Sequence, residues 1–289
     1  MHLNHPPGTK LLCDGGALKM KNWTLDDFEL GAPLGAGQFG QVWLVREKVR
    51  NYLLALKIIP KSIVEKTDSY RQLRRELEIH TKLRSPYILR CYGHFHDKNN
   101  IYLVLEYANN GELFHHLVEK GKFDEKTAAN YVYQVLHAVR TMHLQKVIHR
   151  DLKPENILIG CDNKLRIADF GWSVCNIDQK RGTFCGTQEY LCPEIINKNQ
   201  YSDKVDMWCI GILTYELLVG NTPFEAPDRT TRDAYRKIRN LEYDLPKFLS
   251  ESARRFIERL LVVESEKRPD VNEMLNDPWI TGNICVNGA

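Results

Sequence analysis

The chain has 289 residues, of which 43% are hydrophobic and 27% charged, a balance typical of a soluble globular protein with a sizeable core. A formal net charge of +3 is too weakly basic to indicate nucleic acid or a membrane surface as a partner. The eight cysteines form no Cys-x-x-Cys pair, which argues against a zinc knuckle or a dense disulfide framework and predicts reduced thiols in the cytoplasm or nucleus.

The N-terminal stretch reads as a tail. It contains Pro6-Pro7-Gly8 and Gly15-Gly16, and it has no apolar run long enough for a signal peptide or a membrane span. We therefore expect a flexible tail over residues 1–22, with regular structure beginning near Trp23. The rest of the chain has no 18-residue apolar stretch either, so the sequence predicts no membrane segment.

A glycine-rich hairpin is the first predicted feature of the folded part. Residues 28–55 alternate in the way of strands joined by tight turns, and within them lies Leu34-Gly35-Ala36-Gly37-Gln38-Phe39-Gly40-Gln41-Val42. Glycines allow a backbone to approach phosphate closely, and flanking apolar residues can enclose a purine. A Gly-x-Gly-x-x-Gly motif that opens a helix would indicate a dinucleotide fold, but here Val42-Trp43-Leu44-Val45 continues as a strand.

A lysine and a glutamate after the hairpin form a candidate pair. Lys57 interrupts the β-rich run 54–59, where it either contacts phosphate or faces water from an edge strand. Residues 69–84 have helical periodicity that places Glu76 on the inward face with Leu73 and His80. Because an inward carboxylate needs a partner, we expect Glu76 to pair with Lys57 and hold it on nucleotide phosphates.

The character of the chain then changes from strands to helices. Residues 101–105 form a predicted buried strand, and the turn-rich residues 106–111 follow as a linker between lobes. An apolar helical stripe over 128–142 leads to the next motif, and residues 206–219 form a predicted buried helix in which Trp208 and Cys209 belong to the core.

Polar residues that suit phosphoryl transfer are concentrated in residues 149–156, His-Arg-Asp-Leu-Lys-Pro-Glu-Asn. Asp151 is the candidate base for a hydroxyl proton, and Lys153 is placed to stabilise phosphoryl oxygens. Asn156 offers the neutral oxygen that hard cations accept, and Asp169, at the end of a short predicted strand over 165–167, is the candidate main Mg²⁺ ligand.

These motifs together resemble the eukaryotic protein kinases over residues 24–281. The resemblance also includes Cys192-Pro193-Glu194, with Glu194 able to pair with Arg268, and Asp206. Within that family the chain is similar to the Aurora group, through residues 72–76 (Gln-Leu-Arg-Arg-Glu), 95–97 (Phe-His-Asp), 169–174 (Asp-Phe-Gly-Trp-Ser-Val) and 277–281 (Asp-Pro-Trp-Ile-Thr). Gln38 and Cys192 depart from the group's usual residues. Gly93 matches the Aurora A pattern and Glu112 the Aurora B pattern, so the type stays open.

The resemblance implies an α+β bilobal protein-kinase fold, with a small, mainly antiparallel β N-lobe carrying one regulatory helix and a larger, mainly helical C-lobe. The expected divisions are a tail over 1–22, an N-lobe over 23–105, a hinge and C-lobe over 106–281, and a C-terminal tail over 282–289. The implied activity is ATP- and Mg²⁺-dependent phosphorylation of Ser/Thr in proteins during mitosis. The implied location is the cytoplasm and nucleus, at the spindle, spindle poles or centrosomes, or chromosomes.

The resemblance also assigns site residues. The expected ATP-binding set is Leu34, Gly35, Gly37, Gln38, Gly40, Val42, Ala55, Lys57, Leu105, Glu106, Tyr107, Ala108, Glu155, Asn156 and Asp169. The expected catalytic set is Asp151, Lys153, Lys57 and Glu76, with the metal on Asn156 and Asp169.

Two acidic residues and one threonine carry the expected specificity and regulation. Glu112 and Glu155 match positions that would favour arginine before the phosphoacceptor, although Glu112 can equally be a solvated charge at a helix N-terminus. Thr183 follows Lys180 and Arg181 and is the predicted activating phosphosite, ranked above Thr187. Its phosphate would be bound by Arg75, Arg150 and Arg181, tying the loop to both lobes, and we expect a monomer that phosphorylates other copies of itself.

An activator is the remaining implied partner. The resemblance places His80, Cys91, His149 and Phe170 in a stack between the Glu76 helix and the catalytic loop, and a partnerless histidine and a small residue would pack it weakly. We therefore expect a spindle-associated or inner-centromere activator peptide on the N-lobe, unless water satisfies His80. Two alternatives stay open, another basophilic Ser/Thr kinase and a pseudokinase scaffold, although a scaffold would not need all of Lys57, Glu76, Asp151, Asn156 and Asp169.

Overall fold

The fold is known from a computed structural model that describes residues 9–11, 22–37, 40–66, 70–170, 174–175, 188–225 and 231–284. The chain divides into two compact units, one formed by Met1–Gly111 and Ile159–Arg166 and the other by Glu112–Leu158 and Ile167–Ala289. The division falls after Gly111, whereas the sequence placed it after Leu105.

The first unit is built on an antiparallel sheet with strand order β2-β3-β4-β6-β5 and a short β1 parallel to β4. Its strands are β1 Lys10–Leu11, β2 Phe28–Gly37, β3 Gly40–Glu47, β4 Tyr52–Pro60, β5 Cys91–His96 and β6 Asn100–Glu106. One face buries an aromatic cluster in which Trp23, Phe28, Phe95 and Tyr102 pack ring against ring. This apolar face fixes the register, because a one-residue slip would turn it to solvent.

Two helices complete the first unit, α1 Lys61–Lys66 and α2 Tyr70–His80. Helix α2 presents Leu73, Glu76 and His80 as one buried face, as the 3.6-residue period predicts. It ends at His80, four residues before the predicted end, and a turn at Thr81–Lys82 follows.

The second unit is mainly helical. Its helices are α3 Leu113–Lys120, α4 Glu125–Leu144, α5 Pro193–Ile196, α6 Lys204–Val219, α7 Thr231–Asn240, α8 Glu251–Leu260, α9 Val271–Leu275 and α10 Pro278–Asn283. The predicted stripe on α4 is confirmed, since Ala128, Val132 and Val139 are fully buried. Helix α6 is buried on all sides, and Trp208 and Cys209 belong to its core as predicted.

Four short strands frame the catalytic-loop region: β7 Val147–Ile148, β8 Ile157–Ile159, β9 Leu165–Ile167 and β10 Val174–Cys175. β7 pairs with β10 and β8 with β9, and both predicted strands, 157–159 and 165–167, are confirmed. A unit built on an antiparallel sheet and a mainly helical unit give the predicted α+β fold.

Two sequence-based expectations need correction. Lys10–Leu11 form a strand that pairs with Tyr52–Leu53. This strand lies within residues 1–22, which the sequence predicted to be a flexible tail. Cys161 is disulfide-bonded, whereas Cys91, Cys192 and Cys209 are free thiols, so the expectation that every cysteine is reduced is wrong. Spacing along the sequence excluded only local motifs, and it cannot exclude a bond that depends on the distance between residues in the fold. Across the described ranges, helices lack the length and apolarity that a bilayer crossing requires.

Candidate active site

The glycine hairpin opens the site in the first unit. β2 and β3 pair with Gly35 opposite Val42 and Gly37 opposite Gly40, so both arms are strands, as predicted. A Cβ on Gly40 would lie 1.9 Å from the backbone oxygen of Ile58, so only glycine fits there. Gln38 and Phe39 lie outside the described residues.

Lys57 lies in the interior of the sheet. In β4 it is opposite Val42 on one side and Leu103 on the other, which removes the edge-strand alternative. Ala55, two residues earlier, lies opposite Leu105. Because directly opposed and i, i+2 residues share a face, Val42, Ala55, Lys57 and Leu105 line one side of the sheet.

The predicted ion pair with Glu76 is formed. Lys57 Nζ lies 2.9 Å from Glu76 Oε1, and both side chains are largely buried. Glu76 Oε2 has no hydrogen-bond partner among the residues that the structure describes, so the carboxylate contacts Lys57 through a single oxygen. The pair shows that α2 is docked with its carboxylate aimed into the sheet face.

The residues after β6 continue that face. Leu105 and Ala108 are buried, Tyr107 is half-buried, and burial raises the pKa of the Tyr107 phenol. Leu34, at the mouth of the hairpin, is 37% exposed. The predicted nucleotide-binding residues after β6 are therefore mostly buried, and they lie in the backbone segment just before Gly111.

Asp151, Lys153 and Asn156 are brought together in the second unit. Asp151 Oδ2 lies 3.1 Å from Lys153 Nζ and accepts a 2.7 Å hydrogen bond from Asn156 Nδ2. The Asn156 amide also donates to the backbone oxygen of Asp151 at 2.8 Å. Because its nitrogen is used in this way, Asn156 leaves its amide oxygen for a ligand.

Asp206 on α6 fixes the backbone of this loop. Its carboxylate accepts the N–H groups of His149 and Arg150 at 3.0 and 2.8 Å, and it also bonds His143 Nε2 at 2.8 Å. Burial alone would raise the pKa of Asp206, but the hydrogen bond and charge of His143 outweigh it and the pKa is lowered. A fully buried, ionised carboxylate thus holds Arg150, whose φ of 72° is in the left-handed region.

Asp169 and Asn156, the predicted metal ligands, lie on backbone segments joined by a hydrogen bond. The Ala168 N–H donates to the Asn156 carbonyl at 2.9 Å, and Asp169, the next residue, adopts a φ of 58° and is exposed. Among the described residues no three His, Cys, Asp or Glu side chains cluster in a way that could hold a metal. Two oxygen donors without a protein cage fit an ion that takes its other ligands from phosphate and water.

A group of carboxylates lies near the catalytic loop. Burial raises the pKa of Glu112, the charge of His115 lowers it, and the charge of Glu155 raises it. Glu216 on α6 accepts a short hydrogen bond from Tyr190 Oη, and its pKa is raised to about 7 by burial first and then by the charges of Glu155 and other glutamates.

The predicted phosphosite is only partly described. Thr183 and Arg181 lie outside the described residues, whereas Arg75 is half-buried on α2. Arg150 donates from Nη1 to Tyr201 Oη at 2.6 Å. The guanidinium has five N–H donors, so this bond leaves capacity for other acceptors.

The residues of the expected stack are packed differently from the prediction. His80 is buried, but its Nε2 lies 2.7 Å from the Leu89 carbonyl oxygen, so the premise of a partnerless histidine is wrong. Cys91 is buried against the Gly93 carbonyl, and burial raises its pKa to about 11. His149 and Phe170 meet edge to face at 5.2 Å.

Sequence reasoning missed three residues at this site. Glu216 is a carboxylate in the mostly apolar run that follows Asp206. A charge within such a run could have indicated a functional residue. Asp206 was noted without a role, and its role depends on a contact across 57 residues. Tyr201 had no signal in the sequence.

Comparison with known proteins gives a consistent result. A family model described as "Protein kinase domain" matches residues 28–280. The chain is 54% identical over 259 residues to "Aurora kinase" of Encephalitozoon cuniculi (strain GB-M1), covering 89% of this chain and 95% of that protein. It is 45% identical to "Serine/threonine-protein kinase Aurora-1" of Arabidopsis thaliana, covering 94% of this chain and 92% of the relative.

A vertebrate relative is longer. The chain is 46% identical over 265 residues to "Aurora kinase A-A" of Xenopus laevis, covering 92% of this chain. It spans 65% of the frog protein's length. The similarity therefore lies in the part that contains the sheet and helical units.

Proposed function

We propose, from the fact that the chain belongs to the protein kinase family and to its Aurora group, that it phosphorylates Ser/Thr in arginine-rich protein sites during cell division. The reaction class is that of a protein Ser/Thr kinase, which uses ATP and a divalent metal. The observation that carries the proposal is the cluster of Asp151, Lys153 and Asn156 around one carboxylate oxygen.

Asp151 is the proposed base. Its Oδ2 is held by Lys153 and Asn156, which keeps the carboxylate oriented. An oriented carboxylate can accept the proton of a substrate hydroxyl as the oxygen attacks phosphorus. Lys153 can then stabilise the charge on the transferred phosphoryl oxygens.

The proposed nucleotide residues include a charged pair and an apolar face. Lys57, held by Glu76 at 2.9 Å, would bind the α and β phosphates, while Val42, Ala55 and Leu105 would enclose the purine. Asn156 and Asp169 would hold Mg²⁺, which when bound neutralises charge on the phosphates. This chain's own residues orient the hydroxyl, hold its proton and position the phosphates.

An arginine preference is proposed from three carboxylates. Glu112 and Glu155 were predicted from the sequence, and Glu216, whose pKa is raised by the charge of Glu155 among other causes, adds a third. Arginine presents five N–H donors in a planar fork and therefore suits a group of carboxylates. Replacing both Glu112 and Glu155 with Gln should reduce the preference for arginine over alanine in a positional peptide library.

Regulation and location follow from family membership and remain proposals. Phosphorylation of Thr183 would activate the enzyme, and an activator peptide would bind the first unit. The proposed sites of action are the spindle, its poles and the chromosomes.

The decisive experiment measures phosphate transfer to a histone H3 tail peptide and to a generic basic peptide. Asp151→Asn should lower kcat by about 10²–10⁴, because the base is lost while the shape is kept. Lys126→Gln is the control. It neutralises an exposed charge on α4, away from the catalytic loop, and should leave kcat unchanged. Equal turnover by wild type and Asp151→Asn would show that Asp151 is not the base.

A further inference from the structure

A buried ion cluster in the first unit joins Glu106, one of the expected ATP-binding residues, to two residues that the expected site does not include. Arg166 Nε donates to Glu106 Oε1 at 2.9 Å, and Arg166 Nη2 donates to Asp162 Oδ2 at 3.0 Å. The side chains of Arg166, Glu106 and Asp162 are 3%, 5% and 14% exposed. We call these three residues the Arg166 cluster.

Glu106 is fixed at both its side chain and its backbone. Its second carboxylate oxygen, Oε2, accepts the Arg90 N–H at 3.1 Å. Its own N–H donates to the Arg90 carbonyl at 2.8 Å, and it lies opposite Leu54 at the end of β6. Because every one of these groups is engaged, the chain leaves Glu106 in a defined direction toward Tyr107 and Ala108.

The other end of residues 106–111 is bound to the same segment as Arg166. Asn110 Nδ2 donates to the Gly160 carbonyl at 2.9 Å, and the Asn110 N–H donates to Ile159 O at 3.1 Å. The Ile159 N–H donates a hydrogen bond to the Gly111 carbonyl oxygen at 2.8 Å. Residues 107–109 are therefore held between two anchors on the segment 159–166.

The space between Gly160 and the cluster is small. A Cβ on Gly160 would lie 2.8 Å from Asp162 Oδ1 and 3.3 Å from Arg166 Nη2. Burial disfavours the charge of Arg166, but Glu106 and Asp162 outweigh that cost and its pKa is raised. Lysine, with a single ammonium, could not reproduce two guanidinium bonds in fixed directions.

We propose that Arg166 is a positioning residue for nucleotide binding, which acts by holding Glu106 so that the backbone of residues 106–108 is presented to a purine. The proposal rests on the proposed function, because it assumes that these residues bind ATP. Arg166 itself touches no nucleotide. Its effect should appear in nucleotide affinity more than in the rate of phosphate transfer.

The test compares Arg166→Met, Arg166→Lys and Asp162→Asn with the wild type and a control. Arg46→Gln is the control, because it removes an arginine from an exposed ion pair with Glu29 in the sheet that also contains Glu106. The measurements are the Kd for Mg-ADP by calorimetry, KM for ATP, kcat, and KM for a basic peptide. Mg-ADP binding needs no catalysis, so it separates affinity from turnover.

We expect Arg166→Met to raise the Kd for ADP and the KM for ATP about tenfold, with kcat within about twofold of wild type. Arg166→Lys should lie between, Asp162→Asn should change the Kd by about twofold to threefold, and Arg46→Gln should change nothing. Unchanged ADP affinity in folded Arg166→Met would overturn the proposal.

A merely structural role is tested by Glu106→Gln combined with Arg166→Met, which removes both buried charges. This double variant should regain thermal stability over Arg166→Met alone while its ADP affinity stays weak. If affinity recovers together with stability, the cluster only stabilises the fold and the proposal fails.

Because Asp162→Asn keeps the Arg166–Glu106 bond, it remains informative if Arg166→Met does not fold. A wild-type protein that binds no ADP would overturn the proposed function as well, whereas normal wild-type binding with unaltered variants overturns this proposal alone.

Discussion

Glu216 shows how neighbouring charges set the behaviour of one residue. Its pKa is raised to about 7, first by burial and then by the charges of Glu155, Glu189 and Glu225, although the hydrogen bond from Tyr190 acts in the opposite direction. A carboxylic acid at this pKa is partly protonated near neutral pH. An arginine guanidinium would favour the ionised form, so substrate binding and deprotonation of Glu216 should be coupled.

The resulting prediction concerns pH. For a peptide with arginine before the phosphoacceptor, KM should rise by roughly fivefold to tenfold as pH falls from 7.5 to 6, because only ionised Glu216 binds the cation. Glu216→Gln should have a high KM with little pH dependence over this range. Steady-state kinetics at saturating ATP give the KM for the peptide at each pH. The KM for ATP, measured with ATP varied, serves as the internal control. A wild-type KM that is flat from pH 7.5 to 6 would rule out this role of Glu216.

His80 and Lys57 show what could be predicted about single residues. The pairing of Lys57 with Glu76 follows from helical periodicity and from the cost of an unpaired inward carboxylate, and it is confirmed, whereas the sequence left open whether Lys57 lies on an edge strand. The partner of His80 is a backbone carbonyl nine residues away, which only the turn after α2 brings close. Side-chain identity can indicate that a partner is needed, but the path of the backbone decides which atom supplies it.

Helix α5 illustrates stabilisation at the scale of an element. It has only four residues, so its own hydrogen bonds cannot hold it in place, and Glu194 within it forms a two-bond pair with Arg268 at 2.7 Å each. The remaining Arg268 N–H groups donate to the carbonyl oxygens of Val262, Lys204 and Val263. All five donors are used, and the predicted pairing of Glu194 with Arg268 is confirmed.

Arg268→Lys should therefore lower the free energy of unfolding by about 2–4 kcal/mol, because an ammonium cannot make the fork to Glu194 and three carbonyls together. Arg268→Met should cost about 3–5 kcal/mol, since Glu194 would stay buried without a counter-charge. Urea denaturation gives the values. Arg255→Lys, in an exposed pair with Glu251, is the matched control and should stay within about 0.5 kcal/mol of wild type. Wild-type stability in Arg268→Lys would mean that the fork geometry is unimportant.

At the scale of the whole molecule, the order of elements was predictable and the grouping of segments was not. Alternating strands followed by long apolar helices indicated a sheet unit and a helical unit. Residues 159–166 nevertheless belong with the first unit, through backbone bonds to residues 110–111 and the pair of Arg166 with Glu106. Periodicity describes neighbours along the chain, and it contains no information about which distant segment a short strand will join.

The last prediction concerns encounters between whole molecules. Thr183 follows Lys180 and Arg181, which gives it the basic context that the acidic residues near the catalytic loop should favour, and the segment lies outside the described residues. We expect one copy to phosphorylate another, so the initial rate of Thr183 phosphorylation per molecule should double when the enzyme concentration doubles. Phosphatase-treated protein, restarted with ATP and followed by mass spectrometry, provides the measurement. Asp151→Asn protein is the matched control, because it should gain the phosphate only when wild type is added. Thr183→Ala should lower kcat/KM by at least about tenfold, since the phosphate adds close to two charges and three acceptors that arginine guanidinium groups can bind. A rate per molecule that does not depend on enzyme concentration would mean that each copy phosphorylates itself.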